Sequence, residues 1–264
     1  MSEQPNSEIT FLGRFEDAYF KYSRAQTHFA ALGALFNELH QDKWWRPQKL
    51  DDAQNGMVRI ELMRGPHIEW SLIVGDMIHN LRGCLDYATC GLIEIADPST
   101  NLKNIQFPFG RPGLPLNSDE RKRLEGLGPN ALERIEEIRV KFGADLHVIN
   151  LMSNQDKHRL LLPLDVRQMP LKMVVDQVNN TASIVVDIDN AAEVWGKKIK
   201  DGDVISMPNM LKLDIGITIE GETNPFPLRD IERLNNSVWQ AFMMMCWTER
   251  SILTPTSGES VQTP

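Results

Sequence analysis

Apolar residues along much of the chain recur at three- and four-residue steps, the spacing that places them on one face of an α-helix. This pattern predicts long helices at about 11–40, 70–96, 129–154 and 228–252. Within the third stretch Gly143 interrupts the pattern, so we expect one helix before this glycine and a second from about Ala144 to Asn154. A shorter helix is predicted at about Ser118–Leu124.

Between about 160 and 221 the apolar positions recur at every second residue, which is the period of a β-strand. Turn signals such as Asn179-Asn180 and Asp201-Gly202 separate the candidate strands. Residues 57–63 also alternate and predict a strand that can join the same sheet, whereas Trp44–Gln48 is predicted to be a loop. The fold class is therefore α+β, with packed long helices and a mainly antiparallel sheet from about 160–221.

Composition favours one globular domain over 1–264, because 264 residues with 42% hydrophobic content can bury a sizeable core. The polar ends, 1–10 and 254–264, are expected to be disordered tails. A net charge of −8 argues against a broad nucleic-acid-binding surface. Without a leader segment or the roughly 20 apolar residues that a membrane span requires, we expect a cytoplasmic protein with no membrane partner. A homo-oligomer is compatible with this composition.

The most unusual stretch is the helix predicted around Trp70–Glu94. Asp76, His79, Arg82 and Asp86 lie within about 120° of each other on the side opposite its apolar stripe. An ordinary amphipathic helix turns such a face to water, but this face has apolar neighbours and no lysine. We therefore expect both faces to be covered, and buried charges then need partners. The Phe-Pro-Phe sequence at 107–109 is expected to pack against the core.

Charged and amide side chains concentrate in three segments of the chain. They are Arg24 and His28 in the first helix, Asp76, His79, Asn80, Arg82 and Asp86 in the central helix, and Asp156, Lys157, His158 and Arg159 before the strands. In this order and spacing they resemble the motifs of a family of uncharacterised bacterial proteins: Arg-Ala-x-x-His, then Gly-Asp-x-x-His-Asn-Leu-Arg-x-x-Leu-Asp, then Asp-Lys-His-Arg. The match covers roughly residues 20–165. The resemblance implies one shared site and implies no particular reaction.

One hypothesis for these residues is acid–base catalysis. Histidine changes charge near neutral pH, so His79 and His158 could transfer protons, with Asp76 or Asp156 orienting an imidazole. The side chains of Arg24, Arg82 and Arg159 would then bind an anionic group, because a guanidinium matches phosphate or carboxylate. His28, Asn80, Asp86 and Lys157 complete the predicted substrate-binding set. This hypothesis predicts a hydrolase that either cleaves a phosphodiester without a metal or hydrolyses a small anionic substrate, for which a phosphate-bearing ligand is one candidate.

Two alternatives remain open. The first is a structural network in which Asp76, Asp86 and Asp156 pair with the three arginines and lock the segments together, in a non-catalytic protein that binds a ligand or a partner. The second is a metal site formed by His28, His79 and His158 with Asp76 or Asp86, which the adjacent arginines disfavour because they repel a cation. The three cysteines lack metal-ligand spacing, and the sequence leaves the identity of any cofactor open.

Overall fold

A computed structural model describes residues 13–41, 43–50, 57–159, 161–168, 172–176, 181–185, 198–206 and 213–253 of the chain. The tails predicted at 1–10 and 254–264 lie outside these ranges. The architecture is α+β, as predicted, with packed helices and small antiparallel sheets. Among the described residues no helix is both long enough and apolar enough to cross a lipid bilayer.

The helices are α1 (Glu16–Gln41), α2 (Ile68–Ala96), α3 (Ser118–Arg123), α4 (Pro129–Arg159) and α5 (Ile231–Leu253). The predicted break in the third long helix is wrong, because α4 runs without interruption through Gly143. This glycine is buried between Phe142 and Asp145, which are buried as well. Burial of the residues around Gly143 offsets the roughly 1 kcal/mol that a glycine costs inside a helix.

The strands are β1 (Trp45–Lys49), β2 (Met57–Leu62), β3 (Leu164–Gln168), β4 (Lys172–Asp176), β5 (Thr181–Val185), β6 (Val204–Ser206), β7 (Leu213–Ile217) and β8 (Phe226–Pro227). Among the described residues they form three antiparallel sheets with the orders β1-β2-β6, β3-β7-β8 and β4-β5. The predicted strand at 57–63 pairs with β6, which lies within the predicted sheet region of about 160–221. The prediction of a loop at Trp44–Gln48 is also wrong, because β1 begins at Trp45 and pairs with β2.

Strand β1 contains Pro47, which lacks a backbone N–H and argues against a strand in the middle of a sheet. Because β1 lies at the edge of its sheet, one side of the strand needs no hydrogen-bonding partner, and the proline is therefore tolerated. Between β1 and β2, Arg46 Nε donates to Glu61 Oε2 at 2.6 Å, and the guanidinium lowers the pKa of Glu61 below its ordinary value.

The described residues fall into two compact units whose boundaries lie within the long helices. The first unit comprises the described parts of Met1–Gln26, Ile78–Asn150 and Arg233–Pro264, and the second comprises those of Thr27–Met77 and Leu151–Glu232. All eight strands belong to the second unit. A single domain over the whole chain stays a prediction.

In the first unit, polar side chains connect the helices around an apolar core. The buried Asp145 of α4 accepts hydrogen bonds from Arg233 Nη1 and Ser237 Oγ of α5, both at 2.6 Å. The buried Asn235 accepts from Gln26 Nε2 of α1 at 2.6 Å. Next to it, the rings of Tyr22 and Trp239 lie 4.7 Å apart. These contacts fix α1, α4 and α5 in the first unit.

In the second unit, Gln155 joins the last turns of α4 to the chain that leaves β7. Its Nε2 donates to the carbonyl of Thr218 at 3.1 Å, and its Oε1 accepts from the backbone N–H of Glu220 at 2.8 Å. Strand β7 is buried along its whole length. The C-terminal end of α4 is therefore held against a buried strand, which positions the adjacent Asp156, Lys157 and His158.

Candidate functional site

The polar face of α2 is more exposed than the sequence predicts. Asp76 and His79 are exposed side chains. The apolar neighbours expected to cover this face are exposed as well, Leu72 to 51% and Tyr87 to 45%. The prediction that both faces of the helix are covered is therefore wrong at these positions, while the opposite stripe, which includes Met77 and Leu81, is fully buried.

Arg82 and Asp86 lie farther along the same face and contact the loop that follows the helix. Asp86 Oδ1 accepts from the backbone N–H of Phe107 at 2.9 Å, and Asp86 Oδ2 lies 3.7 Å from Arg82 Nε. The Arg82 guanidinium lies 5.2 Å from the ring centre of Phe109. Both phenylalanines are buried, which confirms the expected packing of 107–109. These contacts favour a structural role for Arg82 and Asp86.

Arg24 and Asn80 are brought together on α1 and α2 in the first unit. They line a surface cavity of about 320 Å³. Its lining, which defines the Arg24 cavity, consists of Asp17, Phe20, Lys21, Arg24, Asn80 and Tyr87. Arg24 is exposed and Asn80 is half-buried, so both can present hydrogen-bond donors to a molecule in the cavity. Two residues predicted to bind substrate thus occur in one cavity.

The side chains around Arg24 come from one face of α1. Asp17, Lys21 and Arg24 are spaced i, i+4 and i+7, so they follow one another along the helix. Sequence reasoning missed Asp17 and Lys21, although this periodicity is the signal that could have found them. The Lys21 stem passes over Gly83, where a Cβ would lie 3.5 Å from Lys21 Cδ. Its ammonium group lies 5.7 Å from the ring centre of Tyr87.

In the second unit, the central motif and the Asp-Lys-His-Arg motif meet at Gly75. A Cβ built on Gly75 would lie 2.7 Å from Asp156 Oδ1, so the absence of a side chain admits this carboxylate. Asp156 is half-buried, whereas Lys157 and His158 are exposed at the end of α4. The side chain of Arg159 lies outside the described residues. Asp156 is thus placed against the α2 backbone, immediately before Asp76.

The three histidines of the predicted site differ in their surroundings. His28 is a half-buried residue of α1 in the second unit. His79 belongs to the first unit and His158 to the second, and both are exposed. The proton-transfer pair of His79 and His158 stays a prediction.

The metal hypothesis needs several ligands in one place. Among the residues that the structure describes, no group of three or more His, Cys, Asp or Glu side chains is arranged to hold a metal ion. The described positions of the histidines therefore give the metal hypothesis no support.

A larger cavity of about 730 Å³ lies in the first unit beside α3. Among its lining side chains, the cations Lys103, Lys122 and Arg123 are matched by three carboxylates, those of Asp97, Asp119 and Glu125. Arg123 already donates to Gln106 at 3.2 Å, and Asp97 accepts three hydrogen bonds from Ser99 and Thr100, which lower its pKa. None of the sequence-predicted site residues lines this cavity. We therefore place the candidate site in the smaller Arg24 cavity.

Comparison of the chain with protein-family models, with curated proteins and with solved structures finds no match.

Proposed function

We propose that the protein binds a small anionic, phosphate-bearing ligand in the Arg24 cavity. The observation that carries this proposal is that Arg24 and Asn80, which belong to separate sequence motifs, line one cavity together with Lys21. Two cationic side chains and one carboxylate give the lining a net positive charge, although the whole chain has a net charge of −8. The bacterial family and the cytoplasmic location belong to the same proposal and rest on the sequence.

The chemistry of the three donors suits an oxyanion. The Arg24 guanidinium offers a planar pair of N–H groups that can bind two phosphate oxygens at once, and Lys21 adds a second positive charge. The Asn80 amide nitrogen can donate to a third oxygen. Because the overall charge is negative, a long polyanion such as RNA would be repelled beyond the cavity. The surroundings therefore favour a small ligand.

Isothermal titration calorimetry with ribose 5-phosphate tests this proposal at low salt. We expect binding with one site per chain and an affinity that falls by at least about tenfold in Arg24→Gln, the loss of a charge-assisted hydrogen bond. Arg111→Gln is the matched control, because Arg111 is an exposed arginine of the same unit that does not line the cavity. Equal affinities in the two variants would contradict the proposal.

A second candidate function is acid–base hydrolysis of the bound ligand. The observation that favours it is the position of His79, which directly precedes Asn80 on α2 and lies one turn before Gly83, the residue that Lys21 covers. His79 does not itself line the cavity, so this candidate requires a ligand that extends beyond the lining to the imidazole. There the imidazole could take a proton from water as it attacks the phosphorus, or give one to the leaving oxygen.

A non-catalytic protein stays the alternative, and the contacts of Arg82 and Asp86 favour it for that part of the motif. In the first unit these two residues hold Phe107 and Phe109 in place. A structural role for Arg82 and Asp86 is compatible with ligand binding by Arg24 and Asn80, because neither Arg82 nor Asp86 lines the cavity.

A further inference from the structure

We infer that the ligand of the Arg24 cavity carries a planar ring next to its phosphate, so that its chemical class is that of a nucleoside monophosphate. This inference rests on the proposed function and names the substrate class of the same cavity. The observation behind it is that two aromatic side chains line the cavity, Phe20 from α1 and Tyr87 from α2.

Of the two aromatic side chains, Phe20 gives the stronger argument for a ligand with a planar ring. Its side chain is 57% exposed, although burying a phenylalanine stabilises a protein by roughly 1.5–3 kcal/mol. One turn away, Arg24 provides the positive charge for a phosphate. Proteins that bind single-stranded nucleic acids stack bases on aromatic rings while cationic side chains contact the phosphates, and an exposed ring beside a cation offers the same two contacts to one nucleotide.

Tyr87 and Asp17 contribute to recognition of the proposed nucleotide in two further ways. The Tyr87 ring attracts the Lys21 ammonium group, which lies 5.7 Å from its centre, and this contact restrains the lysine on the cavity wall. Asp17 is acceptor-only when ionised, so it would repel a second phosphate but can accept hydrogen bonds from ribose hydroxyls or from the amino group of a base. A volume of about 320 Å³ is at the lower end for ligand pockets, which suits a monophosphate.

The test compares three probes by calorimetry on the full chain: adenosine 5′-monophosphate, ribose 5-phosphate and adenosine. Stacking of one base contributes roughly 1–3 kcal/mol. We therefore expect the wild-type protein to bind adenosine 5′-monophosphate about 5- to 150-fold more tightly than ribose 5-phosphate. Phe20→Leu should remove most of this difference while leaving the affinity for ribose 5-phosphate unchanged.

Trp247→Leu is the matched control, because Trp247 is an exposed aromatic residue of the same unit and does not line the cavity. This variant should keep the wild-type preference for the nucleotide. Equal wild-type affinities for the nucleotide and for ribose 5-phosphate would overturn the inference and leave phosphate binding intact. If neither phosphate probe binds, the proposed function itself fails. Binding of adenosine as tightly as its monophosphate would also overturn the inference, because the cations would then contribute nothing.

Discussion

Gly75 of α2 and Asp156 of α4 lie so close together that a Cβ on the glycine would be 2.7 Å from Oδ1 and 3.0 Å from Cγ of the aspartate. Real Cβ atoms essentially never show such a short contact, so an alanine at 75 must displace the carboxylate. The glycine is thus a spatial requirement of the Asp156 position. It also explains why two motifs 80 residues apart in the chain can meet in the second unit.

Gly75→Ala should destabilise the protein by about 1–3 kcal/mol in urea unfolding, because the clash outweighs the gain in helix propensity. Gly33→Ala is the matched control in α1, where a new Cβ meets nothing within 4 Å. This control should stabilise by about 0.5–1 kcal/mol. A Gly75→Ala variant as stable as the Gly33→Ala variant would show that Asp156 moves away at no cost.

A double-mutant cycle assigns the effect to the carboxylate. In the Asp156→Ala background, Gly75→Ala should no longer clash, and the coupling energy between the two changes should be about 1 kcal/mol or more. Asp156→Asn keeps the same shape and should leave the clash in place. Additive effects in the Asp156→Ala cycle would contradict the close approach.

The local pattern of the sequence predicted the helices well because each long helix buries a continuous apolar stripe. The same pattern failed at Gly143, where burial of the apolar side chains of Phe142 and Leu146 outweighs a weak helix former. It failed at Pro47, because a strand at the edge of a sheet tolerates a residue without an N–H. Neither effect can be read from local periodicity, because both depend on the tertiary structure.

Strand pairing lay beyond the sequence pattern for a different reason. Residues 57–59 of β2 pair with β6 at 204–206, and β3 pairs with β7, so the partners are far apart in the chain. Alternation identifies a strand but not its partner. Arg24 and Asn80 were found as candidates by their chemistry, and the helical spacing of Lys21 from Arg24 could have added Lys21. The place of Phe20 in the cavity needed the arrangement of two helices.

Asp86→Ala should destabilise the protein by about 2 kcal/mol, because the buried N–H of Phe107 loses its acceptor and Arg82 loses its nearby negative charge. Asp86→Asn keeps an oxygen for the Phe107 N–H and should cost less. Thermal unfolding of both variants measures the difference. A stable Asp86→Ala variant with weakened ligand binding would instead assign Asp86 to the binding site.

Raising the pH above about 8.5 should lower the free energy of unfolding, because the Cys84 thiol is buried. Burial raises the pKa of this thiol, with the nearby Cys246 adding to the effect. The folded state therefore keeps the proton where the unfolded thiol, with an ordinary pKa of about 8.5, loses it. Unfolded chains then bind fewer protons, and the free energy of unfolding falls by up to about 1.4 kcal/mol per pH unit.

Urea unfolding of the wild type and of Cys84→Ala between pH 7.5 and 10 isolates this contribution, with those pH limits set to span roughly the ordinary thiol pKa. Cys84→Ala should lose less stability over this range than the wild type. Parallel curves for the two proteins would show that the thiol ionises as easily in the folded state as in the unfolded state.

If a substrate is found, its rate of hydrolysis should depend on His79. His79→Gln should remain folded, with a melting temperature within about a degree of the wild type, because the side chain is exposed. Its turnover should fall by at least about 10²-fold, the usual effect of losing a general acid or base. His158→Gln, another exposed histidine, shows whether the second histidine of the predicted pair is required. Unchanged turnover in both variants would exclude the acid–base hypothesis.

The most direct test of ligand binding in the Arg24 cavity is the response of its side-chain N–H signals in NMR spectra during titration with ribose 5-phosphate. The Arg24 Nε–H and Asn80 Nδ2–H signals should shift together with one dissociation constant, because both groups line the same cavity. The signals of Arg111 and Asn101 should stay unchanged, since neither residue lines it. Saturating shifts elsewhere, with Arg24 and Asn80 unperturbed, would contradict the account.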